Sequence, residues 1–218
     1  MKATLRMADA FNSLPQVVVV CDICSSTMIL EDLRNHDHMD EWILLLGFLE
    51  LYLRTQCKNK LNGKVYKFLG DGWLLFLPAS TPKPELFGLL NRVSARYHEA
   101  YKAGISPLLT QEPHTIGMTF GIDMGLLSEV ESSIAEVEYV GKALNVACRL
   151  QSLTKEVEDR LPEYTALISK HCFNSLPGTS DDIKAAPIQH ELRNMDQGRP
   201  QPLFRVRVFE PDSTPMTA

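Results

Sequence analysis

The segment QVVVVCD, from Gln16 to Asp22, constrains the fold more than any other part of the chain. Its β-branched residues form a short, continuous apolar run, which is typical of a strand buried on both faces of a sheet. The strand ends in an acid, Asp22, and the segment CSST that follows offers backbone amides and hydroxyl groups. The sequence therefore predicts a buried strand with a carboxylate at its end.

A second acidic residue lies at the tip of a predicted β-hairpin. Residues 64–78, KVYKFLGDGWLLFLP, form two apolar arms around a turn at Gly70, Asp71 and Gly72. If the two strands are neighbours in one sheet, the carboxylates of Asp22 and Asp71 meet at one edge. Hard oxygen ligands there would suit Mg²⁺ or Mn²⁺ in a two-metal arrangement. Taken singly, Asp71 is better explained as a turn residue and Asp22 as a cap of the next segment.

A helix predicted over residues 141–153, GKALNVACRLQSL, carries a polar pair. Asn145 and Arg149 lie one turn apart on the same face. An amide can orient a ribose, and a fixed guanidinium neutralises negative charge developing at phosphorus better than a lysine does. Considered alone, the pair is equally well explained as an exposed helix face.

The remaining segments predict a fold of the α+β class, with helices packed on a largely antiparallel sheet. Helical spacing covers 38–58 and 85–102, and the predicted strands cover 114–125, 164–169, 186–193 and 202–209. The 218 residues, 44% of them hydrophobic, can bury one substantial core. We therefore expect a single domain over 1–218, with its core at about 15–209 and a tail at 211–218 that frays.

Composition narrows the classes of partner and compartment. A formal net charge of −5 gives no electrostatic footprint for duplex nucleic acid or for an anionic membrane surface. The five cysteines are odd in number and form no paired CxxC set with histidines, which predicts reduced thiols. No secretory signal and no apolar run long enough for a membrane span is recognisable. We expect a soluble cytoplasmic protein.

Three segments together resemble the class III adenylyl and guanylyl cyclases. VVVVCDICSST is similar to their first metal-binding strand, KVYKFLGDGWLLFL to their K-x-I-G-D hairpin, and EYVGKALNVACRLQ to their G-x-x-x-N-x-A-x-R helix. The three occur in the family's order and approximate spacing, and the resemblance covers about residues 15–209. It implies a ferredoxin-like, palm-type sheet with packed helices.

The resemblance also implies a reaction, the conversion of a nucleoside triphosphate to a 3′,5′-cyclic nucleoside monophosphate and pyrophosphate. At the matching positions, Asp22 and Asp71 would coordinate two divalent metal ions, Mg²⁺ or Mn²⁺, with the carbonyl of Ile23 as a further ligand. Asn145 and Arg149 would stabilise the transition state. The family's head-to-tail homodimers imply that one protomer holds the metals and the other offers the remaining residues.

Further matching positions would contact the substrate. They are the base-recognising pair Lys67 and Glu138, the segment Ser25, Ser26 and Thr27, and, as a looser match on the triphosphate, Arg193. Tyr66 and Tyr139 adjoin the base-recognising pair, but alternate strand residues face opposite sides, so spacing alone leaves their role open.

The residues at the base-recognising positions depart in part from the family's pattern. Lys67 matches the lysine typical of adenylyl cyclases, whereas Glu138 is one methylene longer than their usual partner. The phenylalanine of the family's G-F-T segment is replaced by the SST segment at 25–27. A longer acid favours a smaller ring, and EYVGKALNVACRLQ is similar to the pyrimidine cyclases of bacterial anti-phage defence, which make cyclic UMP or cyclic CMP. We expect UTP as the substrate, with ATP as the alternative.

Two other classes of function stay open at this point. A catalytically inactive cyclase homologue could serve as a nucleotide-binding dimerisation module, although such proteins usually lose a metal acid or the Asn/Arg pair. A diguanylate cyclase or polymerase-like palm domain would share the metal geometry. It would be expected to carry a GG(D/E)EF-type hairpin, from which LGDGW differs.

Overall fold

A seven-stranded sheet with helices on both faces forms the body of the protein. The computed structural model describes residues 15–131, 137–156, 163–179, 182–192 and 199–211. Within them the strand order is β2-β3-β1-β4-β7-β9-β8, and every neighbouring pair is antiparallel except β4 and β7. A separate antiparallel ribbon is formed by β5 and β6. The strands are β1 (Pro15–Ile23), β2 (Lys64–Phe68), β3 (Gly72–Pro78), β4 (Met118–Leu126), β5 (Ser128–Glu131), β6 (Val137–Val140), β7 (Thr165–Ser169), β8 (Ala185–Glu191) and β9 (Pro200–Arg207).

The helices divide between the two faces of the sheet. On one face lie α1 (Ser26–Asn35), α2 (Met39–Leu61) and α3 (Lys83–Ala100), and on the other lies α4 (Lys142–Leu153). A π-helical turn at Tyr101–Ile105 and a 3₁₀ turn at Ser106–Leu108 follow α3, and α5 spans Lys170–Ser175.

The buried strand predicted from QVVVVCD is β1, which lies in the interior of the sheet between β3 and β4. On β1, Val17, Val19 and Cys21 pack into the layer of α1, α2 and α3, whereas Val18 and Val20 pack towards α4. All five are at most 4% exposed, as expected for a strand buried on both faces. The predicted α+β class with a largely antiparallel sheet is confirmed.

The main error of the sequence-based prediction is α1, which was not foreseen. The CSST segment leads directly into this helix, which begins at Ser26, and Ser25 before it lies in the left-handed region with φ at 55°. Serine and threonine are common at a helix start, and Ile29 and Leu33, one turn apart, are fully buried. The local preference and the packing therefore both favour the helix.

Several other expectations are resolved in part. All five cysteines lie in described residues without disulfides, and four are buried while Cys148 is exposed. None of the helices described combines the length and apolarity that crossing a membrane requires. The single-domain assignment stays a prediction, and the tail expected to fray falls almost wholly at 212–218, outside the described residues.

Helix α4 lies unusually close to β4 because of a glycine. A Cβ atom at Gly121 would come within 2.0 Å of the carbonyl oxygen of Ala147 and 2.2 Å of the amide nitrogen of Gln151. Any side chain there would push the helix off the sheet. The close approach lets the last turn of α4 reach the end of β1.

Replacing this glycine tests the packing directly. We expect Gly121→Ala to lower the free energy of unfolding by about 1–3 kcal/mol, the usual cost of overpacking a core. Gly47→Ala in α2 is the matched control, because a Cβ there meets nothing within 4 Å and alanine favours a helix by about 1 kcal/mol. Urea denaturation measures both variants. A Gly121→Ala protein as stable as the wild type would contradict the close approach.

Candidate active site

The two predicted metal-binding acids lie side by side at one end of the sheet. In the register of β1 and β3, Asp22 lies opposite Gly72, the residue after Asp71. The amide of Ile23 donates a hydrogen bond to the carbonyl of Asp71 at 3.1 Å. A Cβ at Gly72 would lie 2.2 Å from the carbonyl oxygen of Cys21, so only glycine lets the hairpin approach this closely. The main chain therefore holds the two carboxylates together.

The Asp22 carboxylate is surrounded by groups from α4 and the segment after it. Gln151 Nε2 donates to Asp22 Oδ2 at 3.2 Å and to Thr119 Oγ1 at 3.1 Å. Lys155 Nζ forms an ion pair with Asp22 Oδ2 at 2.5 Å. Burial raises the pKa of Asp22, the hydrogen bond from Lys155 opposes that rise, and the neighbouring charge of Asp71 adds to it.

The Asp71 carboxylate is oriented by α1. Ser26 Oγ donates a short hydrogen bond to Asp71 Oδ2, and Ser26 is 8% exposed. Ser25 precedes the helix as its N-cap, and Thr27 is exposed. The serine expected to contact a phosphate thus orients Asp71, one of the two predicted metal ligands, while phosphate contacts by Ser25 and Thr27 stay predictions.

The chemistry of this pair fits a divalent metal ion. Two carboxylates held together by the backbone repel one another, and the Lys155 ammonium supplies the positive charge that Asp22 contacts. Carboxylate oxygens are hard ligands of the kind that Mg²⁺ and Mn²⁺ prefer. In the described parts of the chain no third histidine, cysteine, aspartate or glutamate joins the pair. Further ligands would be water, substrate oxygens and the carbonyl of Ile23, whose role stays a prediction.

The two predicted base-recognising residues form a second cluster. Lys67 Nζ lies 3.1 Å from Glu138 Oε1, and Tyr66 OH donates to Glu138 Oε2 at 2.6 Å. Both side chains of the ion pair are exposed, at 49% and 43%. The Tyr66 hydrogen bond, with Lys67 second, lowers the pKa of Glu138. Burial and the Glu138 carboxylate raise the pKa of Tyr66 to about 12, so Glu138 is an acceptor and Tyr66 a donor at neutral pH.

A β-bulge explains how two consecutive residues reach the same carboxylate. The pairing of β2 with β3 shifts between Val65 and Lys67, leaving Tyr66 as the extra residue. A bulge redirects side chains that would otherwise alternate between faces. Tyr66 stacks on Phe76, with ring centroids 4.8 Å apart. The question that spacing left open for Tyr66 is resolved, because Tyr66 is part of this cluster.

Tyr139 also belongs to this cluster, although it bonds to other partners. Its ring lies edge-on to Tyr66, with centroids 5.1 Å apart. Its hydroxyl donates to Glu129 Oε1 at 2.9 Å and accepts from Lys64 Nζ at 2.7 Å. Tyr139 thus braces the β5–β6 ribbon against β2.

The predicted pair on α4 is separate from both clusters in its polar contacts. Asn145 is exposed and Arg149 is half-buried, and neither side chain has a hydrogen bond or ion pair with another described residue. No such bond joins the Asp22–Asp71 cluster to the Lys67–Glu138 cluster within the described residues either. The structure therefore brings together two predicted pairs and leaves the α4 pair free to contact something else. Arg193 lies outside the described residues.

Sequence reasoning missed three polar groups around Asp22. Gln151 lies one helical turn after Ala147, on the buried side of α4, and a polar residue at a buried position needs a partner. The buried position of Gln151 could therefore have predicted that its side chain bonds to a polar group on the sheet. Lys155 and Thr119 carry no comparable signal, because only the folded chain brings them to Asp22.

The fold of this chain is similar to that of several solved structures, although its sequence matches little. No protein-family model and no curated protein sequence matches the chain. Solved structures do. The adenylyl cyclase CyaB from P. aeruginosa superposes with a TM-score of 0.67 at 16% identity, over 95% of this chain and 100% of that chain. The guanylyl cyclase Cya2 gives 0.61 at 17% identity, over 88% and 91%.

Two further structures agree with these. An adenylate cyclase from Trypanosoma brucei, in its monomeric state, gives a TM-score of 0.63 at 15% identity, over 92% of this chain and 93% of that chain. A bacterial light-regulated adenylyl cyclase gives 0.63 at 16% identity over 92% of this chain, which spans about half (54%) of that longer chain. The chain therefore has the fold of class III cyclase catalytic domains.

The repulsion between the two acids gives a prediction for stability. In metal-free buffer at pH 7, Asp71→Asn should raise the free energy of unfolding by about 0.5–1 kcal/mol, because functional sites hold unfavourable charge that a neutral residue relieves. The same variant should lose stabilisation by Mn²⁺. Asp37→Asn is the control, since Asp37 has a φ of 61°, which asparagine tolerates. Urea denaturation with EDTA and with Mn²⁺ measures both effects. Undiminished Mn²⁺ stabilisation of Asp71→Asn would contradict the assignment.

Proposed function

We propose that the protein is a nucleotidyl cyclase, which converts a nucleoside triphosphate to its 3′,5′-cyclic monophosphate and pyrophosphate. The observation that carries the proposal is the contact of Asp22 and Asp71 at one end of the sheet, in a fold shared with adenylyl and guanylyl cyclases. In the reaction the 3′-oxygen bonds to the α-phosphorus and loses its proton. The bond from that phosphorus to the oxygen bridging to the β-phosphate breaks, and pyrophosphate leaves.

The chain's own residues would divide the work. Asp22 and Asp71 would hold two divalent ions, Mg²⁺ or Mn²⁺, and these ions would supply charge neutralisation for the attacking hydroxyl and the triphosphate. Arg149 compensates negative charge developing on the α-phosphate oxygens, and Asn145 orients the ribose. Ser26 and Gln151 keep the two carboxylates in position.

We infer that the complete site forms between two copies of the chain. The free side chains of Asn145 and Arg149, and the lack of any polar bond between the two acid-containing clusters in the described residues, support a shared site. The β5–β6 ribbon, which contains Glu138, also exposes apolar side chains that a second copy would cover. They are Val130, Val137 and Val140, between 45% and 51% exposed, and, just before the ribbon, Leu126 at 60%.

For the base we propose UTP. Glu138 carries one methylene more than the acid typical of adenylyl cyclases, and it is fixed by both Lys67 and Tyr66. An acid one methylene longer leaves less room for a purine, and the lowered pKa of Glu138 keeps it a hydrogen-bond acceptor. An acceptor of this kind suits the N3–H of uracil. Lys67 alone would suit adenine, which makes ATP the second candidate.

The product would serve as a second messenger, and we propose bacterial anti-phage defence as its setting. The support is the similarity of EYVGKALNVACRLQ to pyrimidine cyclases of that kind.

Product analysis tests the reaction itself. With each nucleoside triphosphate and Mg²⁺ or Mn²⁺, we expect a cyclic nucleotide identified by mass, most abundantly cyclic UMP. Arg149→Ala should lower kcat by about 10²–10³-fold, the usual effect of removing a group that stabilises transition-state charge, and Asp71→Ala should abolish turnover. No cyclic product from any of the four triphosphates, with nucleotide binding retained, would favour the inactive binding module.

Mixing Asp71→Ala with the strongly impaired Arg149→Ala is the control for the shared site. An Asp71→Ala protomer keeps Arg149, and an Arg149→Ala protomer keeps Asp71, so mixed dimers contain one intact site. Activity should return on mixing. Two variants that stay inactive when mixed, although mixed dimers form, would contradict a site between protomers.

Shortening the acid tests the choice of base. Glu138→Asp should move the ratio of kcat/KM for UTP over ATP towards ATP by about tenfold, because a change of one methylene is worth that order of discrimination. Glu129→Asp is the matched control, since Glu129 contacts Tyr139 rather than Lys67. Steady-state kinetics on both triphosphates measures the ratio. A ratio that shifts equally in both variants would remove Glu138 from base recognition.

A further inference from the structure

A basic cleft lies on the α2–α3 side of the protein, at the opposite end of β3 from Asp71. It has a volume of about 950 Å³ and is enclosed by the end of α2, the end of β3 and the first half of α3. The seven residues of β3 separate it from the candidate active site, a span of roughly 20 Å at about 3.4 Å per residue. The cleft is therefore distinct from the candidate active site.

The charges that line the cleft are opposite to the charge of the chain as a whole. Lys58, Lys60 and Arg92 line it, against one acidic residue, Glu85, whereas the whole chain carries a formal net charge of −5. None of the three basic side chains forms an ion pair with another described residue. Lys58 and Lys60 also lie in the last turn of α2, where the helix dipole favours cations. Arg92 on the opposite wall lies in the interior of α3, so the helix dipole does not explain its position.

Two buried polar atoms in the wall have no partner. Thr81 is 3% exposed, and its Oγ1, like the Nε of Arg92, has no hydrogen-bond partner among the described residues. A buried donor without a partner costs free energy, and such groups in native structures call for an explanation. An acceptor on a ligand in the cleft would provide one for Thr81 once its side chain rotates about χ1, because Oγ1 has almost no exposed surface in the ligand-free protein.

The absence of a side chain at Gly88 leaves room for the Arg92 guanidinium on the surface of α3. A Cβ at Gly88, one turn earlier, would lie 3.1 Å from Arg92 Nη1. The missing side chain lets the guanidinium lie back along the helix, where a planar fork of donors suits phosphate oxygens. The basic lining, the unpartnered hydroxyl and the cleared position of the guanidinium point to one kind of ligand.

We propose that this cleft binds a small phosphorylated molecule, whose phosphate contacts Lys58, Lys60 and Arg92 and accepts a hydrogen bond from Thr81. The proposal is independent of the cyclase reaction. The cleft is nevertheless connected to the candidate active site, because β3 runs from its edge to the turn that carries Asp71. From its other wall, α2 leads into β2, which carries Lys67.

Calorimetric titration with inorganic pyrophosphate tests the site. The protein carries Asp71→Ala and the buffer contains EDTA, so that metal-dependent binding at the candidate active site does not contribute. We expect binding that Lys58→Glu/Lys60→Glu weakens at least tenfold. The control Lys102→Glu/Lys184→Glu makes the same change of charge away from the cleft and should stay within twofold. Lys58→Gln/Lys60→Gln, which adds no acid, should weaken binding in the same direction.

The hydroxyl provides a second, uncharged test. Thr81→Val keeps the shape of threonine and should weaken pyrophosphate binding several-fold, whereas Thr81→Ser should keep it. Absence of pyrophosphate binding, or equal weakening by the cleft and control lysine pairs, would overturn the proposal. Equal binding by Thr81→Val and Thr81→Ser would overturn it too, because general attraction of an anion by lysines would then be sufficient.

Discussion

The contact between the Asp22 and Asp71 carboxylates is the constraint on which the rest of the site depends. Neither acid is free to move away, because the amide of Ile23 is bonded to the carbonyl of Asp71 and the register of β1 and β3 fixes both positions. Gly72 permits the approach, and Ser26 and Gln151 orient the oxygens. The fold thus sustains a repulsive pair of charges, and the proposed metal ions would relieve that repulsion.

Small irregularities in the sheet and its helix packing bring the other groups into position. The bulge at Tyr66 turns two successive residues of β2 towards Glu138. The bare surface of Gly121 lets α4 come close enough for Gln151 to reach Asp22. With regular strand alternation in β2, Tyr66 and Lys67 would not both reach Glu138. With a larger residue at position 121 of β4, Gln151 would not reach Asp22. The site is built as much by these departures from regularity as by the acids themselves.

The fold and the site were predictable from the sequence where the local residue patterns are strong. The buried strand β1, the Gly-Asp-Gly hairpin and the α4 helix have strong local patterns, so the α+β class and the approach of Asp22 to Asp71 were predictable. Helix α1 was missed although serine and threonine are common at a helix start and Ile29 and Leu33 have helical spacing, because the hydroxyl groups were assigned to the substrate instead. Lys155 could not be foreseen, since its contact with Asp22 exists only in the folded chain.

The most direct test of this account is to locate metal ions in crystals grown with Mn²⁺ and 3′-deoxy-UTP, a triphosphate that lacks the attacking hydroxyl. Anomalous scattering at the manganese edge identifies the ions without reference to activity. The account predicts manganese coordinated by the carboxylates of Asp22 and Asp71, with Lys155 displaced from Asp22 and the triphosphate bound to the metal. Manganese absent from these two residues, with the nucleotide bound and the ion pair between Lys155 and Asp22 intact, would contradict it.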